Sequence, residues 1–436
     1  MEASNPQNMM EMDRVQFRNL DMISHLPPNV IDVILMCLPL RDAVRTSILS
    51  RSWRYKWATI PHLTFDKRSV PSSVDDYSDF DELELVNSKL VNAIDQVLLL
   101  HRGPVHEFKC QNYLESCPAI DRWILLLSGH GVKSFMLNLL PGEHYKVPSC
   151  LFLYKNLIQL KLSHCIFKPP SKFEGFHSLK TLHLQNVTID NSFEDLISKF
   201  PFLVALTLRE FDGLNRLKIQ GPKLLFFDIS GKLKYLCFEN IPLVATARIQ
   251  MTLPNDYKKS KDSNMIKVLG CLHRVKRLSL QGFLLQFLAV GYVPKRLPTT
   301  YNRLKSLTLT INFLNLDDLL VALCLCRSSP NLHDLWIMAH SMSATRTPDE
   351  KFWEVQEHLD GLFANLQIVT VTNVVGFGEL DFVEFVLANA LVLEKMNIMI
   401  KETMVREKAE IFQKLMGFRR ASSQARIIFL GLNKSR

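Results

Sequence analysis

The sequence predicts an α/β chain in which a short bundle of three helices at the N-terminus precedes an irregular solenoid of parallel strands. Three observations carry that reading. At 436 residues, 47% hydrophobic and 22% charged, the chain has ample apolar surface for a large core and is neither disordered nor low in complexity. Apolar residues at helical spacing, punctuated by prolines, fill the stretch from Leu26 to Trp57. From about residue 105 onward, the pattern apolar-x-x-apolar-x-apolar keeps returning.

The N-terminal stretch is read first. Residues 1–19 form a polar leader expected to be disordered, and 20–66 form the helical module. Leu26-Pro27-Pro28 opens a helix in which Val30, Ile31, Ile34, Leu35 and Leu38 recur, with proline in the first turn where its missing N–H is harmless. Pro39 ends it. Ala43, Val44, Ser47 and Ile48 mark a second helix with Asp42 at its positive end, and Ser50 is placed to cap a third bearing Trp53 and Trp57. A unit this small barely outweighs its chain entropy, so apolar residues that cannot all face inward predict a protein partner.

Leu26-Pro27, Ile31, Ile34, Leu38-Pro39, Asp42, Val44, Thr46-Ser47, Leu49-Ser50, Arg51 and Trp53 together resemble an F-box. The resemblance implies docking on the Skp-type adaptor of a cullin–RING ubiquitin ligase. It assigns Leu26, Pro27, Ile31, Ile34, Leu38, Pro39, Val44, Leu49 and Trp53 to the adaptor interface. Asn29 stands where an acidic residue is common in that motif, which removes a charge favourable to the helix dipole.

The repeats decide the rest of the architecture. Clear copies are Leu157/Leu160/Leu162, Leu179/Leu182/Leu184, Leu203/Leu206/Leu208, Leu304/Leu307/Leu309 and Leu332/Leu335/Ile337. Weaker copies begin at Val105, Val132, Val275, Leu366 and Leu393. The steps between most copies match the roughly 20–29 residues of a leucine-rich repeat. Three copies starting at Leu214, Leu224 and Leu233 are too close to include helices and read as strands joined by tight turns. Helices are expected at Leu83–Leu98, Ile120–Leu127, Asp317–Arg327 and Asp381–Asn389, and an acidic linker at 67–82 divides the helical module from the solenoid, 83–361.

In each copy the leucines point into the stack and the residue between them faces out, as Lys161 does between Leu160 and Leu162. Cys165 and Asn312 occupy the position where the repeat asks for Asn or Cys, a structural role. Gly376-Phe377-Gly378-Glu379-Leu380, Phe382–Leu387 and Ile427-Ile428-Phe429-Leu430 are similar to the plant FBD module, which places an FBD region and tail at 362–436. Nearly the whole chain thus resembles the plant F-box/FBD/LRR-repeat proteins.

Catalytic constellations are missing from the sequence. It holds no G-x-S-x-G elbow, no H-E-x-x-H and no P-loop, and its 16 glycines are about half the usual ~7%. The nine cysteines form no C-x-x-C pair, so neither a zinc site nor a disulfide framework is expected, and no metal or cofactor is assigned. No signal peptide or membrane span is read, and the expected compartment is cytoplasm or nucleus.

The outward residues of the strands are expected to form one concave target-binding surface that includes Lys161, His183, Arg209, Arg216, Lys218, Tyr235, Glu239, Arg277, Gln281, Trp336 and Lys395. Counted with neighbouring positions it carries Lys109, Lys161, Arg209, Arg216, Lys218, Arg277 and Lys395 against Glu107, Asp228, Glu239 and Asp334, and so favours an acidic target. The family resemblance implies a non-catalytic subunit that brings an unidentified target protein to ligation, with cullin and RING subunits joined through the adaptor. A binding scaffold outside a ligase is the main alternative. Nucleic-acid binding is the weaker one, because no recognised motif interleaves aromatics with the charges.

Overall fold

The computed structural model describes residues 23, 26–66, 69, 80–190, 192–252, 264–290, 292–340, 347–349, 352–356, 362–401 and 408–430. The leader and most of the acidic linker lie outside the described residues. The chain forms two compact units, Met1–Lys161 and Leu162–Arg436.

In the first unit, helix α1 spans Pro28–Cys37, with Pro28 fixing its first turn, and helix α2 spans Leu40–Arg45 with Asp42 in its opening turn. The expected third helix is absent as an α-helix. Ser50–Ile60 runs instead as successive i→i+3 turns, Trp53 N–H to Ser50 C=O, Lys56 to Trp53, Ala58 to Tyr55 and Ile60 to Trp57. Those tight turns let both Trp53 and Trp57 reach the core, at 2% and 3% exposure. Strand β1 (His62–Phe65) then pairs in parallel with β2 (Glu107–Leu114), and β2 with β3 (Ser134–Leu139). The helical module therefore shares its unit with the first strands of the repeat region.

Helix α3 (Phe80–Leu100) begins inside the stretch read as linker, and α4 covers Ala119–Leu127. Leu90, Ile94 and Val97 bury one stripe of α3. Phe65, Phe108, Phe135 and Tyr154 form a chain of rings with centroids 5.7, 5.4 and 5.9 Å apart, and Trp123 lies 6.4 Å from Phe108. A short strand β4 (Tyr145–Lys146) and β5 (Gln159–Ile166), through which the chain passes into the second unit, complete this part.

The second unit is built on a parallel sheet of β6 (Thr181–Thr188), β7 (Ala205–Phe211), β9 (Phe226–Lys232), β11 (Thr246–Thr252), β12 (Arg277–Gly282), β13 (Ser306–Ile311), β14 (Asp334–Ala339), β15 (Ile368–Val374), β16 (Lys395–Ile400) and β17 (Arg426–Phe429). Two inward ladders run through it in register. One is Leu182, Leu206, Phe227, Ala247, Leu278, Leu307, Leu335, Val369, Met396 and Ile427. The other is Leu184, Leu208, Ile229, Ile249, Leu280, Leu309, Ile337, Val371, Ile398 and Phe429. From β6 to β16 these ladder residues are at most 1% exposed. Each large aliphatic side chain buried this way stabilises by about 1.5–3 kcal/mol.

Of the three closely spaced copies, the middle one is β9 in that sheet, and the other two lie outside it. Strands β8 (Arg216–Gln220) and β10 (Tyr235–Glu239) pair only with each other, and β8 packs against helix α5 (Ser192–Ser198) while β10 packs against α6 (Asn264–Gly270). They occupy the layer that helices fill elsewhere. The remaining helices of this layer are α7 (Leu284–Leu288), α8 (Leu316–Arg327), α9 (Phe352–Gln356), α10 (Phe377–Asn389) and α11 (Lys408–Gly417).

A left-handed residue near the C-terminal end of the strand recurs with similar regularity. His164, Asn186, Glu210, Asn240 and Asn373 have φ between 46° and 60°, and Gly282, with φ 66°, takes the same place two residues beyond an inward side chain. Asn tolerates this left-handed region better than most residues. A Cβ on Gly282 would sit 2.5 Å from the Met251 carbonyl oxygen.

Behind the sheet, Asn312 is fully buried, its N–H donating to Asp318 Oδ2 at 2.9 Å and its Oδ1 accepting from Leu314 N–H at 3.1 Å. Burial pushes the Asp318 carboxyl up to about 7. A folded-state value above the unfolded 3.8 favours the protonated form on folding, so that contribution is complete below the unfolded value and is lost as pH rises through about 7. The Asp318 contribution to the melting temperature should therefore fall as the solution is taken from acidic to neutral pH. Asp318→Asn, which cannot ionise, should flatten this slope, and identical slopes in the two proteins would contradict the assignment.

Candidate functional site

Two surfaces qualify, one in each unit. Helix α1 is apolar on two sides. Ile31 and Leu35 are 4% and 1% exposed and hold the helix to its own module. Val30, Val33, Ile34 and Cys37, at i, i+3, i+4 and i+7, form a second stripe that is exposed, and Met36 adds to it. Ile48 and Leu49, at 85% and 52% exposure, follow the short turn after α2. Large aliphatic side chains grouped on so small a module form an exposed apolar surface, a feature common where proteins meet partners.

The second surface is the sheet face opposite the helical layer. Between the two inward ladders it carries His183, Thr207, Asp228, Arg248, Ser279, Thr308, Trp336, Thr370 and Asn397 in lateral register. Hydroxyls and amides dominate. Trp336, between Thr308 and Thr370, is 45% exposed. Toward β7–β13 the face opens into a groove of ≈ 590 Å³ lined by Arg209, Asp228, Arg248 and Arg277 among polar neighbours. Asp228 is buried and its Oδ2 takes the Arg209 guanidinium at 2.5 Å.

Among the described residues no cluster of three His, Cys, Asp or Glu could hold a metal ion. Burial pushes the Cys165 and Cys326 thiols up to about 12 and leaves them poor nucleophiles. No described helix is long and apolar enough to cross a membrane.

Residues 23–63 match the F-box domain, and residues 120–337 match the family described as FBD-associated F-box protein At5g56370, LRR repeats. The F-box/FBD/LRR-repeat protein At1g13570 of Arabidopsis thaliana is 36% identical over 94% of this chain and 98% of its own length. The chain belongs to the F-box/FBD/LRR-repeat family. A second Arabidopsis F-box/FBD/LRR-repeat protein, At3g26920, is 26% identical over 94% of this chain and 97% of its own length, and a third, At5g56420, is 28% identical over 60% and 65%. F-box/LRR proteins are in general non-catalytic adaptors.

The nine F-box residues singled out from sequence separate into three environments. Ile31 and Trp53 belong to the core, where Trp53 Nε1 donates to the Ile23 carbonyl at 3.2 Å, so in the free chain they support a binding face without lining it. Leu26, Leu38 and Pro39 are half-buried, and Val44 lines an apolar groove of ≈ 200 Å³ with Leu40, Trp57, Phe65, Val97 and Leu100. Pro27, Ile34 and Leu49 are exposed. Val33, Met36 and Ile48 are exposed as well, although the resemblance assigned none of them to the interface. A helical wheel scored for two apolar stripes rather than one shows Val33.

The sheet face also requires correction. His183, Arg209, Arg277, Gln281, Trp336 and Lys395 lie on strands of the main sheet, whereas Lys161 belongs to the first unit. Arg216, Lys218, Tyr235 and Glu239 sit on β8 and β10 in the other layer, where Lys218 pairs with Glu239 at 2.8 Å and the Arg216 guanidinium lies 4.9 Å from the Tyr235 ring centre. Lys109 pairs with Glu107 at 2.8 Å. Much of the apparent excess of positive charge is thus spent in local pairs or turned away from this face.

Removing buried and exposed members of the F-box should have opposite thermodynamic signatures. Trp53→Ala should lower stability by about 3–5 kcal/mol in chemical denaturation, as for other large core truncations. Ile34→Ala should stay within about 1 kcal/mol of the parent. Equal losses would contradict the division between core and surface.

Proposed function

We propose that this F-box/LRR protein is the substrate-recognition subunit of an SCF-type ubiquitin ligase. Its F-box docks a Skp-type adaptor, which brings the cullin and RING subunits, and the sheet face of the repeats recruits a target protein. Residues 362–436 are the FBD region. The observation that carries the reading is the second apolar stripe of α1, uncovered among the described residues in a module that matches the F-box domain.

Covering Val30, Val33, Ile34, Met36 and Leu49 with a partner's apolar groove removes that surface from water at about 25 cal/mol per Å². The polar sheet face contributes no comparable apolar burial and suits selective, hydrogen-bonded recognition. No group of this chain performs covalent chemistry in the proposal. Tethering raises the effective concentration of a target lysine near the charged conjugating enzyme, so the rate gain is one of proximity.

Ile34→Asp combined with Leu49→Asp should abolish capture of the purified adaptor while leaving the circular dichroism and melting temperature of the parent, because both side chains are already in water. Undiminished capture would contradict the proposed interface.

A further inference from the structure

We propose that Arg248 and Arg277 form a seat for an oxyanion-bearing side chain, a carboxylate or a phosphorylated hydroxyl, on an extended segment of the target protein. This rests on the reading of the sheet face as the target-recruiting surface and names the chemistry that the surface selects.

Four charged residues cross neighbouring strands obliquely, Arg209 on β7, Asp228 on β9, Arg248 on β11 and Arg277 on β12. With strands about 4.8 Å apart, they span roughly 14 Å measured across the strands. Asp228 is the pivot. It is 5% exposed, and its Oδ2 is engaged by Arg209 at 2.5 Å while Arg248 Nη1 stands 3.8 Å from the same oxygen. One carboxylate cannot neutralise two guanidinium groups, so Arg248, with 55% of its side chain exposed, keeps most of its charge for another partner. Arg277 is exposed, donates from Nε to the neutral Thr246 hydroxyl at 3.3 Å, and has no acid partner among the described residues.

Register supplies the remaining donors. Ser279 is the strand partner of Arg248, and Ser306 is the strand partner of Arg277. Each guanidinium therefore stands beside a hydroxyl on the same face, a combination that suits the planar, multiply accepting oxygens of a carboxylate or phosphate. Glu210 lines the groove as well, with its Oε1 taken by the Ser230 hydroxyl at 2.7 Å, so three arginines face two carboxylates and the balance is positive. The lining contains no aromatic ring on which a base could stack, which favours a protein segment over single-stranded RNA.

The test uses the full chain and fluorescence anisotropy with labelled peptides of one neutral background, differing only in a central glutamate, phosphoserine, alanine or lysine, plus a labelled single-stranded RNA. The glutamate peptide, the phosphoserine peptide or both should bind at least about tenfold more tightly than the alanine peptide, the size of effect expected when a charge-assisted contact is added. Arg248→Glu with Arg277→Glu should abolish this preference, and Lys218→Glu in the other layer should leave it intact. Arg248→Gln with Arg277→Gln serves if the double reversal does not fold. A preference for phosphoserine alone assigns the seat to a modified target, and one shared by glutamate assigns it to an unmodified one. No preference over alanine, a preference surviving the double substitution, or tighter binding of the RNA would overturn the proposal. Adaptor capture is read on the same preparation. Its loss counts against the ligase reading and leaves the anion result standing, whereas lost anion preference with intact capture overturns the seat alone.

Discussion

The second unit depends on the in-register burial of two side chains per strand. Because successive side chains of a strand point to opposite faces, fixing Leu206 and Leu208 inward fixes Thr207 outward, and parallel pairing repeats that choice on the next strand. A slip of one residue would expose both ladders. The same constraint therefore builds the core and delivers a lateral row of outward positions free to vary. Side-chain chemistry can change in that row without disturbing what holds the unit together. Its hydroxyls, its single exposed tryptophan and its oblique line of charges are choices that the core does not dictate.

In the first unit the constraint is scarcity of core. Trp53, Trp57, Ile31, Leu35 and Ala43 fill what interior the helical module has, and Val33, Ile34, Met36, Ile48 and Leu49 are left in water. A small module cannot bury every apolar side chain that helical spacing places on it. That surplus leaves an exposed apolar surface without any specialised residue. Two members of the motif, Ile31 and Trp53, are buried in the free chain. Ile31 and Trp53 shape the surface from beneath, and their loss would act through folding.

Much of this is legible in the sequence, and the failures are instructive. Periodicity located the strands that carry Leu182, Leu206, Leu278, Leu307 and Leu335, and the helices at Leu316–Arg327 and Phe377–Asn389 within a few residues. It missed β11, whose first inward residue is Ala247, too small to announce the repeat. It also placed Leu217/Ile219 and Leu236/Phe238 in the main sheet, because an inward-facing strand has the same two-residue alternation whichever layer it packs in. Only the partner strand distinguishes the layers, and β8 pairs with β10. That one ambiguity moved Arg216, Lys218 and Tyr235 to the wrong surface. Charge counting failed for a related reason: composition registers Lys218 and Glu239 separately, while the fold joins them.

The central claim is that the apolar surplus of the F-box is satisfied by a second polypeptide. Hydrogen–deuterium exchange of the full chain with and without a purified Skp-type adaptor tests it most directly. Adaptor binding should slow exchange in Pro28–Cys37 and the turn through Leu49, with β6–β17 unchanged. Exchange in those segments that is indifferent to saturating adaptor would contradict it.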